Sequence, residues 1–240
     1  MIQIFRKIRL SLISEGNAGK YLKYAIGEIV LVVLGILIAL QINNWNNNNQ
    51  LQKLEKKYLN EIKNNLISDL PDLQFNIDFN ETRLQSYEIV LKYVLKEIGE
   101  HDSLNFHFGN LFFTTRTLAN TSGIENLKSK GLEIISNDSL RQNITFLYSF
   151  SYHNISDFEL QDDHPFQYNL FMPEVNKAFR IHTIWKKAEP IDKQNIFNND
   201  QFKNVLTTNI FIRKYMLKNY KALKKDVENC ISQIDRELNK

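Results

Sequence analysis

The chain has 240 residues, enough for one or two domains, and 43% of them are hydrophobic, which excludes a fully disordered protein. Its eight glycines and four prolines are too few for a turn-rich β fold and favour long helices. The net charge of +3 arises before Gln41, because the rest of the chain has 25 basic and 25 acidic residues. A neutral main domain lacks the basic surface that binds phosphate backbones, so we expect no nucleic-acid partner.

Residues 24–42 form an apolar run, YAIGEIVLVVLGILIALQI, in which Glu28 is the one charged residue. A helix of this length extends about 28 Å, close to the thickness of the hydrocarbon core of a bilayer. The run is longer than the core of a secretory signal peptide, and Leu37 and Leu40 beside Ala39 argue against cleavage there. The sequence therefore predicts one transmembrane helix that acts as an uncleaved signal anchor in the lipid bilayer.

Basic residues beside the span predict its orientation. Lys20 and Lys23 precede it, whereas residues 43–52 contain no lysine or arginine. Because positively charged flanks stay in the cytoplasm, we expect residues 1–23 to form a basic cytoplasmic tail and residues 71–240 a periplasmic domain of a bacterial inner-membrane protein. The tail also has an apolar stripe at helical spacing, typical of an amphipathic helix on headgroups: Ile2, Phe5, Ile8 and Leu12.

One face of the span contains four residues spaced by 4, 3 and 4: Glu28, Val32, Gly35 and Ala39. Gly35 and Ala39 form a small-xxx-small pair, which permits close approach of a second helix. This face is therefore a candidate helix contact. The alternative is a plain lipid anchor in which Glu28 reaches the interface.

The run YAIGEIVLVVLGILIALQINNWN, preceded by FRKIR, resembles an uncharacterised family of single-pass membrane proteins of the Bacteroidota. The segment ENLKSKGLEIISNDSLRQNI resembles a second block of the same family. The resemblance implies a membrane location. It implies no activity and no catalytic residues.

Beyond the span we predict a stalk helix over residues 43–70, ended by Pro71, and a helical domain over residues 71–240. The next helix is expected from Asp72 to Gly99, with a heptad stripe of Ile77, Leu84, Leu91 and Ile98, and with Tyr87 and Val94 at the paired positions.

Farther along, Asn137 or Asp138 is expected to cap a helix, and residues 162–165 are expected to break the chain. Residues 166–197 are predicted to be short helices joined by loops.

The final helix is predicted to start at Asn199 or Asp200. Its apolar register is Leu206, Ile210, Arg213, Leu217, Tyr220, Lys224, Val227, Ile231, Ile234 and Leu238, with Arg213 and Lys224 as exceptions. Two long striped helices predict a mainly α protein: a transmembrane helix followed by an extramembrane helical bundle.

The sequence lacks the common motifs of enzyme and metal sites. No nucleotide-binding glycine motif, HExxH or CxxC is present. His153 and His164 could share a helix face but would lie about 16 Å apart, too far to share a metal ion. His164 with Asp162 and Asp163 is the best remaining cluster, and a turn with a capping aspartate explains it more simply. We therefore expect no enzyme, no metal and no cofactor.

Cys230 is the one cysteine and cannot form an internal disulfide. A buried core position is expected for it, and a disulfide bridge across a dimer is the alternative.

The leading functional hypothesis is a membrane-anchored interaction or scaffold protein that binds another envelope protein or itself. The second is a sensory or ligand-binding ectodomain that acts through a membrane partner.

Overall fold

The computed structural model describes residues 18–240, so the predicted amphipathic stripe of the tail lies outside the described residues. The chain divides into two compact units, Met1–Leu54 and Glu55–Lys240. The described elements are almost all helical, which confirms the predicted mainly α fold class.

Helix α1 spans Ala18–Val94, and the first unit contains its N-terminal part. This part includes an apolar stretch long enough to cross a membrane, and none of that stretch is buried within the protein. A long, apolar, unburied helix is compatible with the predicted membrane anchor.

Pro71 lies inside α1, so the predicted helix end at this residue is wrong. A proline in a helix removes one backbone hydrogen bond and costs about 3 kcal/mol. Here Pro71 and Ile67, whose carbonyl loses its partner, are both exposed, so water can reach that carbonyl. Leu66 and Leu73 are fully buried on the other side of the helix. Their burial offsets the cost and keeps the helix intact.

The second unit buries one heptad-spaced stripe of α1: Leu59, Ile62, Leu66, Asp69, Leu73, Asn76, Asn80, Arg83, Tyr87, Val90 and Val94. The predicted stripe is right at Ile77, Tyr87 and Val94, but Leu84, Leu91 and Ile98 are only half-buried, and Ile98 lies beyond the end of the helix. The predicted and the buried stripes differ because polar side chains occupy the centre of the buried stripe, and a pattern of apolar residues does not reveal them. The helix also ends at Val94 rather than Gly99, where Lys96 adopts a positive φ of 61°.

Two short helices follow, α2 (Leu104–Gly109) and α3 (Ser122–Lys130), and then a single 3₁₀ turn (Leu132–Ile134). Residues 113–121 between α2 and α3 have no regular structure and are called the strap here. The Asn137 side chain accepts a hydrogen bond from Leu140 N, which confirms the predicted cap at the start of the next helix.

The chain is continuously helical from residue 138 to residue 178, so the predicted break at residues 162–165 is wrong. In this helical segment α-helical and π-helical stretches alternate: α4 (Asp138–Phe146), π (Leu147–Tyr152), α5 (His153–Phe158), π (Glu159–Asp163), α6 (His164–Phe166), π (Gln167–Phe171) and α7 (Met172–Ala178). Pro165 and Pro173 each lie near the start of an α stretch that directly follows a π stretch. Pro165 is exposed, as are the residues one turn before it, so water can reach the carbonyl that its missing N–H leaves without a partner.

The alternation explains a buried row with a spacing of four residues: Ile155, Glu159, Asp163, Gln167, Phe171 and Val175. In a regular α-helix of 3.6 residues per turn, such a row would drift around the axis. π-helical turns, which are closed by i→i+5 hydrogen bonds, contain more residues than α-helical turns. Alternating the two kinds of turn brings the mean number of residues per turn close to four. The π stretches therefore keep Glu159, Asp163 and Gln167 on the core side.

Residues 179–190 form an antiparallel hairpin, β1 (Phe179–Thr183) and β2 (Lys187–Pro190), in which Phe179 pairs with Pro190 and Ile181 with Ala188. The expectation of short helices joined by loops is wrong for this part. Helices α8 (Lys193–Asn198) and α9 (Asp200–Leu238) complete the fold.

Helix α9 buries the predicted register at seven of its ten positions, and the other three, Lys224, Ile231 and Leu238, are half-buried. Arg213, an apparent exception in the sequence, is fully buried. Two apolar clusters form the core. The first includes buried residues between 58 and 77 of α1 and between 216 and 234 of α9. The second includes buried residues between 87 and 94 of α1 and between 202 and 210 of α9.

Cys230 belongs to the first cluster and is buried, as expected from the sequence. Burial raises the pKa of its thiol to about 12, so the reactive thiolate is scarce at neutral pH.

We expect a membrane-impermeant maleimide to label native Cys230 at least about tenfold more slowly than an exposed thiol. The control is Cys230→Ala/Ser232→Cys, which places a thiol on the exposed side of α9. Equal labelling rates, measured by mass shift, would contradict the packing of α9.

Candidate functional site

A layer of buried polar side chains lies between the two apolar clusters. On each of three elements, α1, the helical segment and α9, polar residues occupy the buried stripe between its two apolar parts. The members of this polar layer are Asn80, Glu159, Asp163, Gln167, Asn209 and Arg213, each at most 1% exposed.

Arg213 and Asp163 form an ion pair at the centre of the polar layer. Arg213 Nη1 also donates to Asn80 Oδ1 at 2.6 Å and to Thr114 Oγ1 at 3.1 Å. Thr114 Oγ1 in turn donates to Asp163 Oδ2 at 2.7 Å. The guanidinium thus joins α9, the helical segment, α1 and the strap through a single side chain.

Gln167 and Asn209 extend the polar layer toward the second apolar cluster. Gln167 Nε2 donates to Asp163 Oδ1 at 3.1 Å and to Asn209 Oδ1 at 2.7 Å. Asn209 Nδ2 returns a hydrogen bond to Gln167 Oε1 at 3.2 Å. These paired amides fix the register of α9 against the helical segment, because a shift of either helix would leave buried polar groups unpaired.

Buried carboxylates supply acceptors for the strap. Glu159 accepts from Thr117 N at 3.0 Å, from Thr117 Oγ1 at 3.0 Å and from Tyr220 OH at 2.6 Å. Asp69 accepts from Asn120 N at 3.2 Å and from Tyr152 OH at 2.7 Å. An irregular segment must find partners for its backbone N–H groups, and here acidic side chains from two helices provide them.

Burial dominates the electrostatics of these groups. It raises the pKa of Glu159 and of Asp69, although the hydrogen bonds from Tyr220 and Tyr152 act in the opposite direction. It lowers the pKa of Arg213. Because the polar layer is closed to solvent, a substrate could not reach it without separating the helices. In this geometry its role is to position the helices and the strap.

The surface above the helical segment contains a row of aromatic rings, of which four are exposed and one, Phe158, is half-buried. Phe146, Phe150 and Phe158 are spaced by multiples of four residues, so the same mixed helix that buries Glu159 places them along one line. Phe146 and Phe150 are 56% and 57% exposed and stack with ring centroids 4.9 Å apart. Phe158 packs against Tyr215 of α9 at 4.5 Å, and Phe211 lies one turn from Tyr215. These five residues are called the aromatic row.

The candidate contact face of the span lies in the first unit. Val32, Gly35 and Ala39 are exposed and Glu28 is partly exposed. A Cβ added at Gly35 would meet no atom within 4 Å, so a side chain there has room in the single chain.

The cluster predicted around His164 is not assembled as a site. Asp163 is buried against Arg213, whereas Asp162 is exposed and His164 is only half-buried. Within residues 18–240 no group of three or more His, Cys, Asp or Glu residues could hold a metal ion. Sequence reasoning missed the polar layer, although the four-residue spacing of Ile155, Glu159, Asp163, Gln167 and Phe171 was a usable signal for it.

A family model described as a family of unknown function, DUF6090, matches residues 28–215. No curated protein and no solved structure matches the chain.

The polar layer predicts a large coupling between Arg213 and Asp163. We expect Arg213→Met to lower the free energy of unfolding by about 3–5 kcal/mol, because it leaves Asp163 buried without its cation. The double variant Arg213→Met/Asp163→Leu should recover part of that loss, as measured by chemical denaturation of the full-length protein in detergent.

The matched control is Lys214→Met, which removes an exposed ion pair with Glu88 next to Arg213 in sequence. Its cost should stay below about 1 kcal/mol. The cycle is completed by the single variant Asp163→Leu. Strictly additive losses for Arg213→Met and Asp163→Leu would show that the two charges do not interact.

Proposed function

This chain belongs to the DUF6090 family of unknown function, and we propose that it is a membrane-anchored interaction protein whose helical domain binds a protein partner through the aromatic row. The observation that carries the proposal is the exposure of four of these five rings. Aromatic residues are enriched at the centres of protein interfaces, and burying one such side chain contributes about 1.5–3 kcal/mol. A line of them in contact with water is therefore a favourable docking surface.

We further propose that residues 24–42 anchor the protein in the bacterial inner membrane as an uncleaved signal anchor, as in the single-pass membrane family of the Bacteroidota that the span resembles. In this proposal residues 1–23 are cytoplasmic and the helical domain is periplasmic. The apolar, unburied helix supports the anchor, and the lysines before the span support the orientation.

The partner in this proposal is another envelope protein or a second copy of the chain. The span offers a second contact surface for the same assembly, with Glu28, Val32, Gly35 and Ala39 toward the partner helix. The proposal assigns the protein no catalytic activity, cofactor or nucleic-acid partner. The closed polar layer then acts as the internal frame that positions the aromatic row.

An alternative function is a ligand-binding ectodomain that acts through a membrane partner. One observation favours it. Arg83 is buried without a carboxylate partner among the described residues, and it lies against the rings of the half-buried Phe79 and the exposed Trp185.

We predict that a photo-crosslinking amino acid at Phe150 captures a protein partner in intact cells, and that Phe146→Ser/Phe150→Ser abolishes the product formed from a crosslinker at Phe158. The loss follows because the stacked rings supply apolar area that serine cannot. Product mass on a denaturing gel distinguishes a second copy from another envelope protein.

Tyr168 provides the matched control, because it is similarly exposed on the same helical segment but outside the aromatic row. A crosslinker at Tyr168 should give little product, and Tyr168→Ser should leave the Phe158 product unchanged. Equal yields from Phe150 and Tyr168 would count against a specific interface.

For the span, we predict that Gly35→Leu reduces its association in a membrane two-hybrid assay, because a bulky side chain separates the helix backbones. Leu34→Ile, on another face, should have little effect. Equal signals for Gly35→Leu and the unchanged span would leave only the anchoring role.

A further inference from the structure

The second unit buries two arginines in different ways. Arg213 is 1% exposed and has Asp163 as its counter-ion. Arg83 is 4% exposed, and no described carboxylate lies within ion-pair distance of it. Its Nη1 donates to Asn110 Oδ1 at 2.8 Å. Its Nε, like that of Arg213, has no hydrogen-bond partner among the described residues, so the missing carboxylate is what separates the two arginines. A buried charge without a counter-ion is costly, so its presence calls for a physical reason.

Aromatic rings surround the Arg83 guanidinium. Its Cζ lies 3.9 Å from the ring centroid of Phe79 and 5.6 Å from that of Trp185. Phe75 packs against Phe79 at 5.9 Å, and Phe113 packs against Trp185 at 6.2 Å. Trp185 is 48% exposed, so this cluster opens at the surface. Cation–π contacts replace only part of the interaction that a carboxylate would provide.

The backbone beside this cluster is strained. Phe113 and Trp185 have positive φ angles of 71° and 64°, which bulky side chains rarely adopt. The Trp185 N–H donates to the carbonyl of Gly109 at 3.0 Å, and this holds the hairpin tip against α2. A Cβ at Gly109 would lie 2.7 Å from Lys187 N, so the close approach requires glycine. Strain of this kind is concentrated at ligand clamps and switch segments.

We propose that Arg83, Phe75, Phe79, Phe113 and Trp185 form a binding site for a small carboxylate with an apolar body. The planar guanidinium fork matches a carboxylate, and the rings match the apolar body. The Trp185 ring swings outward to admit the carboxylate to the unpaired Nε. One buried cation neutralises one negative charge, whereas the second charge of a phosphate dianion would lie against aromatic rings.

The charge state of Arg83 agrees with this site. Burial lowers the pKa of Arg83 only to about 10, so the guanidinium remains charged at neutral pH. The site shares no residue with the aromatic row, so it stands whether or not the row binds a protein.

The chain has two tryptophans, and Trp45→Phe leaves Trp185 as the sole reporter. The full-length Trp45→Phe protein in detergent is titrated with phenylacetate, with phenylacetamide as the neutral isostere, at constant ionic strength. We expect a saturable change in Trp185 emission and a rise in Tm with phenylacetate, and neither with phenylacetamide. Arg83→Met should abolish both responses. Arg180→Met, which removes an exposed cation from the same hairpin, should retain them.

Several results would overturn the proposal. These are no saturable response up to about 10 mM phenylacetate, an equal response to phenylacetamide, a response that survives Arg83→Met, or a response to inorganic phosphate in place of the carboxylate. If Arg83→Met does not fold, the responses of the Trp45→Phe protein to phenylacetate and to phenylacetamide decide whether the site requires a carboxylate. The crosslinking at Phe150 is independent of each of these outcomes.

Discussion

Arg213 and Asp163 form a fully buried ion pair, and the arrangement of the helical domain depends on the hydrogen bonds that make this pair tolerable. Taking two charges out of water costs several kcal/mol for each ion, and their attraction offsets this only when the remaining donors and acceptors are also satisfied. Asn80 and Thr114 supply partners for Nη1 of Arg213, and they come from α1 and from the strap. Asp163 accepts from Nη2, so Nε is the guanidinium nitrogen without a partner among the described residues. Four parts of the chain must therefore be in register at the same time. A purely apolar layer would accept small shifts of one helix along another, and this layer does not.

The same constraint accounts for the unusual helical segment. Glu159, Asp163 and Gln167 must all face the interior, and their four-residue spacing is incompatible with a straight row on a regular α-helix. The π-helical stretches raise the mean number of residues per turn to about four, so residues spaced by four stay on one side of the helix. The same holds for a second row of residues on the outer side. Phe146 and Phe150 thus lie along one line on the outside because acidic and amide side chains are held on the inside. The surface proposed to bind a partner is in this sense a consequence of the buried polar layer.

Arg83 shows what happens when the same kind of residue has no acidic partner within residues 18–240. It lies on the same stripe of α1 as Asn80, one turn farther along, yet an amide and aromatic rings surround it. The described part of the interior thus contains one guanidinium with a carboxylate partner and one without. The neutralised one is sealed inside the helices. The other lies beneath half-exposed rings, where a ligand from solvent could neutralise it.

The sequence by itself determined the apolar span, the mainly α class, the cap at Asn137 and the burial of Cys230, because each depends on local pattern or composition. It also placed much of the buried register of α9 correctly. The tertiary structure alone decided the passage of α1 through Pro71, the helix through residues 162–165 and the roles of Arg213 and Asp163. The physical reason is the same in each case. A proline or a charged residue is unfavourable in a helix or a core when its local segment is considered alone, and only distant partners reverse that balance. Asp163 and Arg213 are 50 residues apart, so no local window of the sequence contains both.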